Sequence, residues 1–233
     1  RLRRLNPEAE ITIVEKGKVL SYAGCGMPYY VSGDVAESKN LMDTPAGVIR
    51  DSLFFLNVKG IAVLDRTLAE KIDRKEKTVS VVHLETGESR TLPYDKLVLA
   101  TGGSPIELPI QGKELNHVFR MWQPEDALSL RDFIHGKKPK KAVIIGGGLI
   151  GIEMTEALAK QGLQVAVLEM LPSILPGLLD EEAAAYLTRY LRAKGVDARC
   201  GTRVTRIEGD DQGKRLTNTS RPMTRISTPG AIA

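Results

Sequence analysis

Residues 142–169 place a strand, a glycine turn, a helix, a second glycine, a second strand and an acid in one fixed order, and few folds accept that order. Ala142-Val143-Ile144-Ile145 is wholly apolar and mostly β-branched, the composition of a strand buried on both faces of a parallel sheet. Gly146-Gly147-Gly148-Leu149-Ile150-Gly151 follows, then a helix-length stretch closed by Gly162, then Gln164-Val165-Ala166-Val167-Leu168-Glu169. A Gly-x-Gly-x-x-Gly alone is weak evidence, but with all six parts in sequence it reads as a dinucleotide-binding βαβ unit. Gly146 permits the tight turn, Gly148 lets the backbone approach a diphosphate, and Gly151 allows close helix–strand packing. Ile150 lies inside the same loop, whose N–H groups would face the diphosphate. Glu169 follows Gly146 by 23 positions, where a carboxylate accepts hydrogen bonds from both adenosine ribose hydroxyls and repels a 2′-phosphate. NADH is therefore the expected cofactor, with NADPH possible where nearby bases soften that repulsion. A helix-packing turn without ligand is the alternative.

The first half repeats part of this pattern. Ile11-Thr12-Ile13-Val14-Glu15 is a strand with a terminal acid, so Glu15 is expected to hold a second ribose. Its glycine loop belongs about 20 residues upstream, before Arg1, so the opening strand and phosphate loop of this unit are expected to be missing from these residues. Residues 77–83 and 88–92 flank Thr86-Gly87 as a hairpin. Leu97-Val98-Leu99-Ala100 reads as a buried strand, ending in Thr101-Gly102-Gly103-Ser104-Pro105, small residues past which a ligand could lie. An ordinary turn closed by proline fits the same stretch. Later, Asp180-Glu181-Glu182 opens a helix that stops at Gly195, and residues 196–200 and 203–207 read as short strands. From Gly213 the periodicity ends, Ser and Thr become frequent and prolines interrupt, so 213–233 is expected to be an irregular tail.

The segment Ser21-Tyr22-Ala23-Gly24-Cys25-Gly26-Met27-Pro28-Tyr29-Tyr30 sets a cysteine among glycines where a helix can begin. N–H groups at a helix start carry partial positive charge and favour a thiolate, and the glycines admit a flat cofactor or a bulky disulfide. A buried structural cysteine fits the segment as well. The other cysteine, Cys200, sits in a strand without such a setting and reads as structural. With two cysteines and the scattered histidines His83, His117 and His135, neither a disulfide framework nor a metal site is expected. The basic run Lys137-Lys138-Pro139-Lys140-Lys141 is a solvated linker or an attractor for nucleotide or coenzyme A phosphates. Aromatics are only 5% of residues, and no basic stripe interleaves with them, so nucleic acid is not an expected partner. No run of 18 apolar residues occurs and residues 1–7 lack signal-peptide character, so no membrane association and a cytoplasmic setting are expected.

Together, Glu15, the Cys25 segment, Tyr94-Asp95-Lys96-Leu97-Val98-Leu99-Ala100-Thr101-Gly102 and the Gly146 loop resemble the FAD-dependent pyridine nucleotide-disulfide oxidoreductases over about residues 1–212. One redox cysteine in place of a Cys-x4-Cys pair is similar to the branch of NADH oxidases, NADH peroxidases and coenzyme A-disulfide reductases. Cys25-Gly26-Met27-Pro28-Tyr29-Tyr30, Asn40-Leu41 and Thr44-Pro45 look most like the last of these. The resemblance implies an α/β chain with two three-layer Rossmann-like nucleotide-binding domains, the first lacking its opening strand and glycine loop. The expected boundaries are 1–111 for the partial FAD domain, 112–212 for the NAD(P)H domain and 213–233 for the tail. It further implies FAD contacts from Glu15, Lys16, Ser21, Thr101 and Gly102, and Glu153 near the nicotinamide. Leu149 stands where several relatives carry an aromatic. Hydride would pass from NADH to flavin and electrons on to catalytic Cys25, which reduces coenzyme A disulfide or a related small disulfide or polysulfide. A sulfenic-acid oxidase or peroxidase and a non-catalytic nucleotide-binding fragment are the alternatives, and longer relatives are expected to be homodimers.

Overall fold

The computed structural model describes residues 2–210, 213–218, 226–228 and 231–232, with side chains described up to residue 209. In chain order the elements are α1 (Leu2–Leu5), β1 (Thr12–Val14), a 3-10 turn (Gly24–Gly26), α2 (Met27–Ser32), a second 3-10 turn (Ser38–Leu41) and α3 (Ser52–Lys59). Then come β2 (Ala62–Leu64), β3 (Thr67–Asp73), β4 (Thr78–His83), β5 (Ser89–Pro93), α4 (Pro124–Lys137), β6 (Lys141–Ile145), α5 (Leu149–Lys160) and β7 (Gln164–Leu168). The chain continues through α6 (Glu181–Ala193), β8 (Asp197–Arg199), β9 (Val204–Asp210), β10 (Gly213–Asn218), β11 (Ile226–Thr228) and β12 (Ala231–Ile232). Contacts divide these into two compact units, Arg1–Ala23 with Glu37–Ser104, and Gly24–Ala36 with Pro105–Ala233. Residues 24–36, Cys25 among them, thus group with the later residues, whereas the sequence suggests one early domain up to residue 111.

In the first unit, β1 pairs in parallel with β2, Thr12 opposite Ala62, and β3-β4-β5 form an antiparallel sheet. Val79 and Val81 on β4 are buried, the alternation that a sheet with one packed face requires. The hairpin expected at Thr86-Gly87 is present, with Gly87 at a φ of +72° that favours glycine. β3 escapes a reading from sequence because Glu70 and Lys71 interrupt its alternation and are exposed. One expectation is corrected here. Leu97 to Ala100 form no strand, and Val98 and Leu99 are 72% and 67% exposed. In a doubly wound sheet the strand after the crossover lies against the opening strand. No described strand fills that place, because β1 and β2 form a two-stranded sheet.

In the second unit the sheet order is β12-β6-β7-β8, all parallel. Val165, Val167 and Leu168 are buried along β7. Val143 and Leu168 pack with Ile110, Val204 and Ile207 as a core cluster. α4 opens at Pro124, and Asp126 Oδ2 accepts from the N–H groups of Trp122 and Gln123, each at 2.8 Å. α6 opens where the acids suggest: Asp180 Oδ1 accepts from Ala183 N–H at 2.8 Å. Ala184 and Leu191 turn inward, with Leu187 half-buried between them. The irregular tail suggested from residue 213 differs from the backbone found. β10 pairs antiparallel with β9, β11 with β10, and β12 extends the parallel sheet along β6. Backbone ladders of this kind need no apolar periodicity, so composition alone misses them.

Replacing Asp180 by Ala removes the α6 cap and is expected to cost about 1 kcal/mol, read as a melting temperature lower by ~2–4 °C with unchanged far-ultraviolet circular dichroism.

Candidate functional site

β6 delivers the chain into the glycine turn. Gly146 takes a φ of +111°, strained for any residue with a Cβ, and its N–H donates to Leu168 O on β7 at 2.9 Å. Gly151 lies so close to Gly146 that a Cβ on it would overlap the Gly146 carbonyl oxygen. Between them, a Cβ on Gly148 would meet nothing within 4 Å, and Leu149 and Ile150 are exposed. α5 starts here, Ile152 N–H donating to Gly148 O at 3.0 Å. The first N–H groups of a helix have no partner within it, so the exposed turn offers donors and the positive end of a twelve-residue helix to an anion.

Glu169 sits at the end of β7, only 7% exposed. Gly147 N–H donates to its Oε2 and Leu171 N–H to its Oε1, both at 2.6 Å. Two charge-assisted bonds hold the carboxylate in one orientation, and each oxygen retains a lone pair for a ribose hydroxyl. A Cβ on Gly147 would come within 3.1 Å of both Glu169 Cβ and Ile174 Cγ2. The middle glycine is therefore set by the acid, a role that sequence reasoning missed although three consecutive glycines were its signal. The site thus brings together residues 146–151 and Glu169, and its residues fit a dinucleotide. Glu153 lies exposed on α5, one turn beyond Ile150.

Cys25 is a free, exposed thiol in the 3-10 turn Gly24–Gly26, immediately before α2. Cys200 is also free but half-buried. Burial pushes its thiol above the usual range and the Glu169 charge adds to this, against weaker help from Arg192, Ile174 N–H and the Thr188 hydroxyl.

In the first unit, Glu15 is half-buried at the end of β1, and its Oε1 accepts from Gly17 N–H at 2.7 Å. Ile13, Glu15, Leu20, Phe55 and Val63 line a small recess there. Lys16 is exposed and Ser21 half-buried. Thr101 and Gly102 are exposed outside any regular element, Gly102 at a φ of +65°. Glu15 is thus a strand-end acid like Glu169, and among the described residues of this unit no glycine loop joins it. No helix among the described residues is long and apolar enough to cross a membrane.

A parallel sheet, a glycine turn opening a helix and a strand-end acid define a dinucleotide-binding protein, here with an exposed thiol in the same compact unit. Comparison with known proteins narrows that class. The profile of the pyridine nucleotide-disulphide oxidoreductases matches residues 1–227. An NADH oxidase of Methanocaldococcus jannaschii is 32% identical over 91% of this chain and 46% of its own length. A coenzyme A disulfide reductase of Staphylococcus haemolyticus is 33% identical over 72% of this chain and 36% of its own. The solved structure of an NAD-dependent persulfide reductase from A. fulgidus superposes with a TM-score of 0.91 at 38% identity, covering 99% of this chain and 42% of that one. The chain belongs to the pyridine nucleotide-disulphide oxidoreductase family, whose members are FAD-dependent NAD(P)H oxidoreductases. It spans about half the length of the curated relatives it matches.

Because a thiolate is the reacting form, Cys200 is expected to alkylate slowly at pH ~8 and to accelerate still beyond pH ~9, as followed by mass spectrometry of iodoacetamide-treated protein.

Proposed function

We propose that this chain carries the nucleotide-binding part of an NADH-dependent flavoprotein that reduces small disulfides, coenzyme A disulfide foremost, with Cys25 as the redox sulfur. The observation that carries the reading is the exposed Cys25 thiol between two glycines, in one compact unit with the Gly146 turn and Glu169. The names of the Staphylococcus haemolyticus and A. fulgidus relatives support a small sulfur acceptor.

In this reading the backbone of residues 146–151 holds the cofactor diphosphate and Glu169 its ribose, with Glu153 near the nicotinamide. Glu15, Lys16, Ser21, Thr101 and Gly102 contact FAD. Bound flavin supplies the two-electron relay between nicotinamide and sulfur. The Cys25 thiolate attacks one sulfur of coenzyme A disulfide, a Cys25–S–S–CoA bond forms, and one coenzyme A thiolate leaves. The electron pair from NADH then cleaves that bond, regenerating the Cys25 thiolate and releasing the second coenzyme A thiol. The net change is NADH, a proton and one disulfide giving NAD⁺ and two thiols. The basic run 137–141 would draw coenzyme A phosphates toward this unit. Two free cysteines accord with the reducing cytoplasm, and the family resemblance extends the reading to a homodimer of the longer protein. The Methanocaldococcus jannaschii relative's name, NADH oxidase, motivates one competing reading, in which the Cys25 sulfur cycles through sulfenic acid.

In the FAD-loaded protein, Cys25→Ser is expected to lower NADH-dependent thiol release from coenzyme A disulfide by roughly a thousandfold with NADH affinity unchanged. NADH consumption that tracks oxygen uptake instead of thiol release would establish the oxidase reading. Glu169→Ala removes a charged acceptor and loosens the turn for either nucleotide, and it is expected to lower the preference for NADH over NADPH about tenfold or more, a ratio read by fluorescence titration with both nucleotides.

A further inference from the structure

We infer that Arg131, assisted by Gln161, is a positioning residue for the Cys25 sulfur, fixing the carbonyl end of the short helix that Cys25 precedes. The inference rests on the reading of Cys25 as the redox sulfur. α2 has six residues, too few to persist as a helix on its own, so its place is set by what it packs against. Val31 is fully buried, and Met27, Pro28 and Tyr30 are buried with it.

Gly33 N–H donates to Tyr30 O and Val35 N–H to Tyr29 O within the segment itself, and side chains of α4 and of the residue that caps α5 add bonds to Tyr30 O and Ser32 O. Arg131 Nη1 donates to Tyr30 O at 2.9 Å and to Val35 O at 2.8 Å. The same guanidinium lies 4.2 Å from the centroid of the Tyr30 ring, a cation–π contact. Gln161 Nε2 donates to Ser32 O at 2.6 Å. Gly33 makes room for it: its φ is +90°, and a Cβ there would come within 3.3 Å of Gln161 Nε2. The Lys160–Asp34 ion pair at 2.9 Å, nearly half exposed on both sides, adds little, because solvent screens such pairs.

Arg131 is half-buried and sits inside α4, where the dinucleotide turn does not use it. Its Nη1 alone donates to both carbonyls while the guanidinium lies over a ring, and a more strongly hydrated lysine ammonium without the planar, pre-organised group reproduces this less well. The clamp acts on the end of α2 opposite Cys25, so loosening it lets the helix, and the turn before it, shift as a body. Thiol–disulfide exchange is sensitive to such shifts, because a displacement of about 1 Å of a reacting group costs roughly a hundredfold in rate.

The test uses the FAD-loaded protein with Arg131→Met, Arg131→Lys and Gln161→Ala. Arg131→Met is expected to cut turnover with coenzyme A disulfide by roughly ten- to a hundredfold, leave NADH affinity within about twofold, speed amide exchange over residues 30–35 at least about tenfold and shift the pH profile of Cys25 alkylation. Arg131→Lys is expected to fall between Arg131→Met and the parent, and Gln161→Ala to act in the same direction more weakly. Unchanged turnover and alkylation profile in Arg131→Met overturn the inference, as does a fall in NADH affinity parallel to that in turnover. Should Arg131→Met fail to fold, Arg131→Lys and Gln161→Ala decide: parental turnover and parental amide exchange in both overturn it. If the parent protein reduces no disulfide, the functional reading fails separately. Amide exchange and the Cys25 alkylation profile then decide the clamp alone, an unchanged pair overturning it.

Discussion

The Glu169 carboxylate, almost wholly removed from solvent, is the fixed point around which the second unit is arranged. It closes the glycine turn onto the end of β7 through Gly147 N–H and reaches forward to Leu171 N–H. A buried carboxylate is tolerated only when its oxygens are hydrogen-bonded, so turn, strand end and following loop must be in register together. The loop completes the enclosure, with Leu175 N–H donating to Gly147 O at 2.7 Å. The acid that would discriminate between cofactors is thereby also a structural tie, and the face of Gly148 beside it is open.

Steric closeness supplies the complementary constraint. Gly151 presses on the Gly146 carbonyl, and Ile144 Cγ2 lies at the same contact, so α5 can leave the turn only along one line. That line ends at Gln161 and Lys160, which reach Ser32 at the end of α2 and Asp34 just beyond it. One helix therefore spans from the glycine turn to the segment carrying Cys25, and α4 supports that segment from a second direction through Arg131. Grouping of residues 24–36 with the nucleotide unit follows from these side chains and from the burial of Val31.

The two cysteines show how far similar chemistry diverges with setting. Cys25 is exposed in a turn bounded by glycines, whereas Cys200 is half-buried behind Glu169, where desolvation and a nearby negative charge both disfavour its thiolate. Sequence context read Cys200 as structural but left Cys25 open between an exposed and a buried thiol, and the fold places Cys25 at the surface.

Local chemistry was legible wherever a motif is short-range. The β6 turn, the strand-end acids Glu15 and Glu169, the Thr86-Gly87 hairpin, the Asp180 cap and a helix starting just after Cys25 follow from residue types and spacing. What sequence alone could not determine depends on partners distant in the chain. Leu97 to Ala100 have a strand's composition but pair with no strand among the described residues, and Val98 and Leu99 remain exposed. Residues 213–218 and 231–232 lack apolar periodicity, yet their backbone pairs with β9 and β6. Arg131 carries no motif at all, and only the packing of α2 against α4 gives it two carbonyls and a ring to hold. Sequence determines propensities and local hydrogen bonds, whereas pairing and clamping arise only when the fold brings separated backbone groups within bonding distance.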